Sequence, residues 1–147
     1  MKKLLSILLV GLTLGLWQGS VSAAPEAKPF AEKKVVLQIS DADPTKQTLV
    51  LNVAGNLIKH YGADKVDVEI VAFGPGLRLM MAGNSNTGRI QSLSTEGVRF
   101  AACGNTIKKF TQLLDEEPKL NANSYVVPGG AVRIIDLVSQ GYVLIKP

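Results

Sequence analysis

The sequence predicts an α/β protein: a three-layer α/β/α sandwich around a mainly parallel five-stranded sheet. Apolar runs of strand length alternate with segments whose apolar residues recur at helical spacing, which is the signature of consecutive βαβ units. Acidic caps, prolines and glycines stand where those helices should begin and end. The crossovers of such units are right-handed, so helices are expected on both faces of the sheet.

The first residues concern targeting rather than fold. Lys2 and Lys3 precede an apolar stretch from Leu4 to Trp17, and Val21-Ser22-Ala23 forms a small-residue cleavage site. This is the pattern of a secretory signal peptide, residues 1–23, cut after Ala23. The apolar run is shorter than the roughly 20 residues a spanning helix needs, so no membrane insertion is expected after cleavage. A periplasmic or secreted product follows, and the lack of a cysteine near the cleavage site excludes lipoprotein attachment. Residues 24–33 (APEAKPFAEK) hold two prolines among small and charged residues, which reads as a flexible tether. Residues 34–147 then form one domain with a single modest core. The formal charge of +4 falls to +2 once Lys2 and Lys3 are removed. Lys and Arg are dispersed and aromatics few, so nothing points to nucleic acid.

Val35 to Ser40 is the first predicted strand, and Asp41-Ala42-Asp43-Pro44 after it marks a helix start. That helix carries Leu49, Val53, Leu57 and Ile58 and stops at Tyr61-Gly62. Val66 to Phe73 alternates and then becomes continuously apolar, a second strand that ends in the tight turn Gly74-Pro75-Gly76 before Leu77 to Ala82. A helix over about Thr87 to Thr95 follows the polar cluster 83–86. Val98 to Ala102 reads as a buried strand, with Cys103 opening a helix over Gly104 to Leu114. The polar connection 115–124 leads to the short strand Tyr125 to Val127. Pro128-Gly129-Gly130 then precedes a helix with Val132, Ile135, Leu137 and Val138, closed by Gly141. Tyr142 to Ile145 is the last strand.

Ligands of open α/β sheets bind beyond the carboxyl ends of the strands, so Cys103, the only cysteine, marks the first place to seek chemistry. A sulfur at a helix N-terminus feels unpaired N–H groups and the positive end of the dipole, which favour the thiolate. The competing account is a small buried residue that packs the sheet. A lone thiol in an exported chain has no internal disulfide partner, so it is buried, pairs between chains, or reacts. Gly104 would admit close approach to the backbone. Asn105 and Thr106 could donate to a bound anion or persulfide, or simply cap the helix. Gly74 and Gly76 share that sheet edge and either line the site or serve a turn that needs glycine. Asp41 is a candidate base or cation ligand, or a helix cap. Arg78, Arg89 and Arg99 would add positive charge for an anionic sulfur species, or form surface ion pairs. His60, the single histidine, suits a helix C-terminus, and Met80 and Met81 suit packing rather than copper. No P-loop, dinucleotide fingerprint, metal set or cofactor motif is present.

The segments GVRFAACGNTIKKF and PGGAVRIIDLVSQGYVLIKP carry a family resemblance. The first is a strand of the form V-x-F-x-x-C followed by G-N-T; a G-P-G turn follows the second strand, and the chain closes on Gly-Tyr and Ile-Lys-Pro. In this order and spacing the chain, over Lys34 to Pro147, resembles the DsrE/DsrF-like proteins, which include sulfur-relay subunits and exported members. The resemblance implies a five-stranded parallel-sheet fold and homo-oligomers, trimers or hexamers. It also implies a cysteine, here Cys103, that accepts sulfane sulfur as a persulfide and passes it to a partner, so a sulfur donor or acceptor protein is the expected partner. The expectation is therefore a sulfur carrier more than a turnover enzyme. The alternative is a non-catalytic oligomeric scaffold that binds a small ligand while Cys103 stays packed.

Overall fold

A computed structural model describes residues 25–147; the signal peptide reading lies outside them. The elements run β1 (Lys33–Ile39), α1 (Pro44–Tyr61), β2 (Val66–Ala72), a 3-10 helix (Gly74–Met80), α2 (Thr87–Thr95), β3 (Arg99–Cys103), α3 (Gly104–Leu114), β4 (Ser124–Val127), α4 (Gly130–Ser139) and β5 (Val143–Ile145). The five strands lie in the order β4-β3-β2-β1-β5, and every neighbouring pair is parallel. The predicted α/β/α sandwich is the fold observed. Cys103 itself closes β3 rather than following it.

The strand order determines where the helices go. From β1 to β4 the chain steps one way across the sheet, so right-handed crossovers stack α1, α2 and α3 on one face. The connection from β4 to β5 runs back the other way, which puts α4 on the opposite face. Alternation along the strands sorts the core accordingly. Leu37, Ile70 and Phe100 point toward α1, α2 and α3, where they meet Leu51, Ile90 and Ile107. Val36, Val71 and Ala101 point the other way and pack with Ile134 and Leu137 of α4. Among the described residues, the ten-residue α4 is thus the one helix packed on that face of the sheet.

Local chemistry starts α1 where the sequence indicates. Asp43 is the N-cap and accepts from the Thr45 N–H at 2.8 Å, with Pro44 in the first turn. The segment read as a tether is partly anchored. The Lys28 N–H donates to Asp67 at 3.0 Å, and its ammonium donates to the carbonyls of Ala63, Val66 and Glu96. Composition indicated a loose segment because it cannot show that one lysine meets three carbonyls at the amino edge of the sheet.

Candidate functional site

β3 and β4 are adjacent, but their chains leave in opposite directions: α3 begins on one face and α4 on the other. This is the topological switch point of the sheet, where open α/β folds form a crevice. Cys103 and Val127 are register partners at its floor. The two helix starts lie close together. The Asn105 N–H donates to the Pro128 carbonyl at 3.3 Å, and a Cβ on Gly104 would stand 3.2 Å from the Val127 carbonyl oxygen. Only glycine lets the two segments approach so closely without displacement.

Cys103 occupies the N-cap position of α3 in an extended conformation, with no capping hydrogen bond of regular geometry. Its sulfur nevertheless sits among donors. Burial pushes the thiol pKa up, but the Thr106 hydroxyl and the N–H groups of Gly130, Thr106 and Asn105 outweigh it and hold the thiol below its ordinary range. The Thr106 hydroxyl is itself oriented, since its oxygen accepts the Gly74 N–H at 2.9 Å. Its single proton is then free to point at the sulfur. Cys103 is 4% exposed.

The turn after β2 therefore reaches the site through its backbone. Gly74 has φ +53°, in the left-handed region that costs other residues roughly 1–2 kcal/mol. A Cβ on Gly76 would overlap the Ile39 carbonyl. Asn105 contributes its N–H while the residue stays exposed. Asp41 is not brought to the sulfur. It accepts the Asp43 N–H at 3.0 Å and pairs with Lys46 at 2.6 Å, an exposed arrangement before α1. Of the arginines considered, Arg89 donates to Asn52 at 2.8 Å, and Arg78 lines a separate cleft. His60 packs edge-on against Tyr61.

Arg99 requires a correction. It begins β3, four residues and about 13 Å of strand from Cys103, at the amino rather than the carboxyl edge. There it is buried, pairing with Asp67 at 2.9 Å and Glu69 at 2.6 Å. Alternation places Arg99 on the same face as the sulfur, but strand length separates the two.

That ion pair is part of a network the sequence reading missed. Glu69, fully buried in the central region of the sheet, accepts Arg133 Nε at 2.7 Å and Arg133 Nη2 at 2.8 Å, a bidentate pair. Tyr125 adds a hydroxyl at 2.6 Å. Tyr142 donates to Asp67 at 2.6 Å and accepts from Arg99 at 2.8 Å. A signal was present in Val66 to Phe73: Asp67 and Glu69 are two apart, hence on one face of a strand whose sheet was expected to be covered on both sides. Two buried carboxylates require cations.

Among the described residues no group of three or more histidine, cysteine or acidic side chains converges as a metal site, and no helix is long and apolar enough to cross a membrane. A cleft of about 860 Å³ opens between Pro44, Arg78, Met81, Leu114 and Lys119. Another, of about 540 Å³, is lined by Gly104, Ile107, Lys108, Thr111 and Val126, and so begins one residue from the cysteine. No family model and no curated protein matches the sequence. Among solved structures the chain is similar to one described as a protein of unknown function, MTH1491 from Methanobacterium thermoautotrophicum. The two share 27% identity over 78% of this chain and 99% of that one, with a TM-score of 0.70.

Proposed function

We propose that this chain is an exported sulfur-handling protein in which Cys103 accepts sulfane sulfur as a persulfide and delivers it to a partner protein. The observation that carries the reading is Cys103 at the switch point, between the starts of α3 and α4 and beside the oriented Thr106 hydroxyl, with its thiol held below the ordinary range by hydrogen bonding. Such donors stabilise a thiolate, the form that attacks sulfur, and equally the anionic terminal sulfur of a persulfide. With thiosulfate, the thiolate attacks the sulfane sulfur and the S–S bond breaks. Sulfite leaves with the bonding electron pair, and the cysteine is left as a persulfide anion. The protein acts as a carrier, since a second thiolate must remove that sulfur. Export rests on the N-terminal pattern, and the DsrE/DsrF-like resemblance supports both the chemistry and a homo-oligomer. Val132, Ile135 and Val138 give α4 an exposed apolar stripe that suits a subunit contact.

The test is intact mass of the processed protein after thiosulfate or polysulfide, wild type beside Cys103→Ser. A reducible gain of one or more sulfur masses that is absent from the variant is expected. The low exposure of Cys103 favours a second reading, a binding scaffold with a structural cysteine. An unmodified protein whose thiol resists alkylation until unfolding would establish that second reading and overturn the first.

A further inference from the structure

The motif Gly130 to Ile135 contains an arginine that the sulfur chemistry leaves unused. Arg133 sits in the first turn of α4, three residues after Gly130, and its guanidinium grips both oxygens of Glu69. α4 is the one helix on its face of the sheet, and it starts without a side-chain cap on Gly129. Its opening turn is held instead by two contacts to β2 and the residue that follows it. One is the Arg133–Glu69 fork. The other is the seating of Gly130 on Phe73, where an added Cβ would lie 2.9 Å from the Phe73 Cβ.

We infer that the Arg133–Glu69 pair is a positioning device, fixing the start of α4 against the start of α3 beside Cys103, where Cys103 and Val127 are register partners and the Asn105 N–H meets the Pro128 carbonyl. The inference rests on the thiolate reading of Cys103 and deepens it. Glu69 suits the task because β2 is rigid, paired on both sides by β1 and β3, and the carboxylate is locked by Tyr125 and Arg99 as well. A lysine could supply the charge but not the fork that fixes direction. The groups acting most on the sulfur from α3 and α4 are uncharged: the Thr106 hydroxyl and the N–H groups of Gly130, Thr106 and Asn105. The sulfur therefore depends on placement, and a small displacement of α4 removes a donor.

The test is a pH titration of the full chain by thiolate ultraviolet absorbance, which a single cysteine makes unambiguous, with circular dichroism to verify folding. Arg133→Lys keeps the positive charge and loosens the grip. Its thiol pKa is expected to rise by about one unit, roughly a tenfold loss of thiolate at neutral pH. Glu69→Gln separates placement from charge: removing a negative charge, even one four strand residues from the sulfur, would if anything lower the thiol pKa, whereas a loosened α4 raises it. A rise in both variants, or in whichever one folds, supports the inference. A depressed wild-type value with no rise in a folded variant overturns it and leaves the thiolate reading intact. A wild-type value in the ordinary thiol range overturns the thiolate reading and the inference together.

Discussion

The Gly74 amide donates to the Thr106 hydroxyl across 2.9 Å, tying the turn after β2 to the helix that starts at the cysteine. One hydrogen bond thus connects two motifs thirty-two residues apart and determines where the hydroxyl proton goes. Replacing Thr106 by Val removes the hydroxyl at nearly constant shape. The Cys103 pKa should rise, slowing alkylation at neutral pH by roughly threefold to tenfold. The orphaned Gly74 N–H should cost about 1–3 kcal/mol of stability. Alkylation rate against pH and urea unfolding measure the two effects, and an unchanged rate profile would remove Thr106 from the site.

The same depressed thiol has a consequence for stability. A folded-state pKa below the unfolded one contributes stability that is fully present above the unfolded value, near 9.0, and lost as pH falls through the folded value. Stability of the wild type should therefore climb relative to Cys103→Ser as pH rises toward 9. Urea midpoints for both proteins across that window provide the comparison; parallel curves would show that folding leaves the thiol unperturbed.

Tyr142 works with the opposite sign. Burial first, then its hydrogen bond to Asp67, pushes the phenol up to about 12 from 10.0. The neutral phenol contributes stability that is complete below pH 10 and lost as pH rises through about 12. Tyr142→Phe should flatten that alkaline loss while costing about 1–3 kcal/mol at neutral pH, because Asp67 loses a buried donor. An unaltered alkaline slope would mean that Tyr142 titrates alike in both states.

Gly76→Ala should destabilise by about 1–3 kcal/mol, since its Cβ meets the Ile39 backbone and neither partner can swing aside as a side chain would. Thermal unfolding checks the cost, and wild-type stability would indicate that the turn relaxes freely.

Ile135, 68% exposed at the centre of the α4 stripe, is the position at which a charge should break the proposed subunit contact. Ile135→Asp is expected to lower the mass seen by light scattering while leaving the far-ultraviolet dichroism unchanged. An identical mass for both proteins would overturn the proposed subunit contact through α4.

The fold class and the order of its elements were legible in the sequence, because apolar periodicity and capping are local properties. Val66 to Phe73 reads as a strand and Asp43-Pro44 as a helix start from a few neighbours alone. The cysteine seam was legible for the same reason, since a strand followed directly by a helix places Cys103 at a carboxyl edge whatever the strand order. Tertiary structure decided which groups meet there. The order β4-β3-β2-β1-β5 sends α3 and α4 to opposite faces, and so brings the start of α4 beside Cys103 and joins Glu69 to Arg133 across sixty-four residues. Pairings over such separations depend on register and crossover direction, and these are set by how the whole sheet packs.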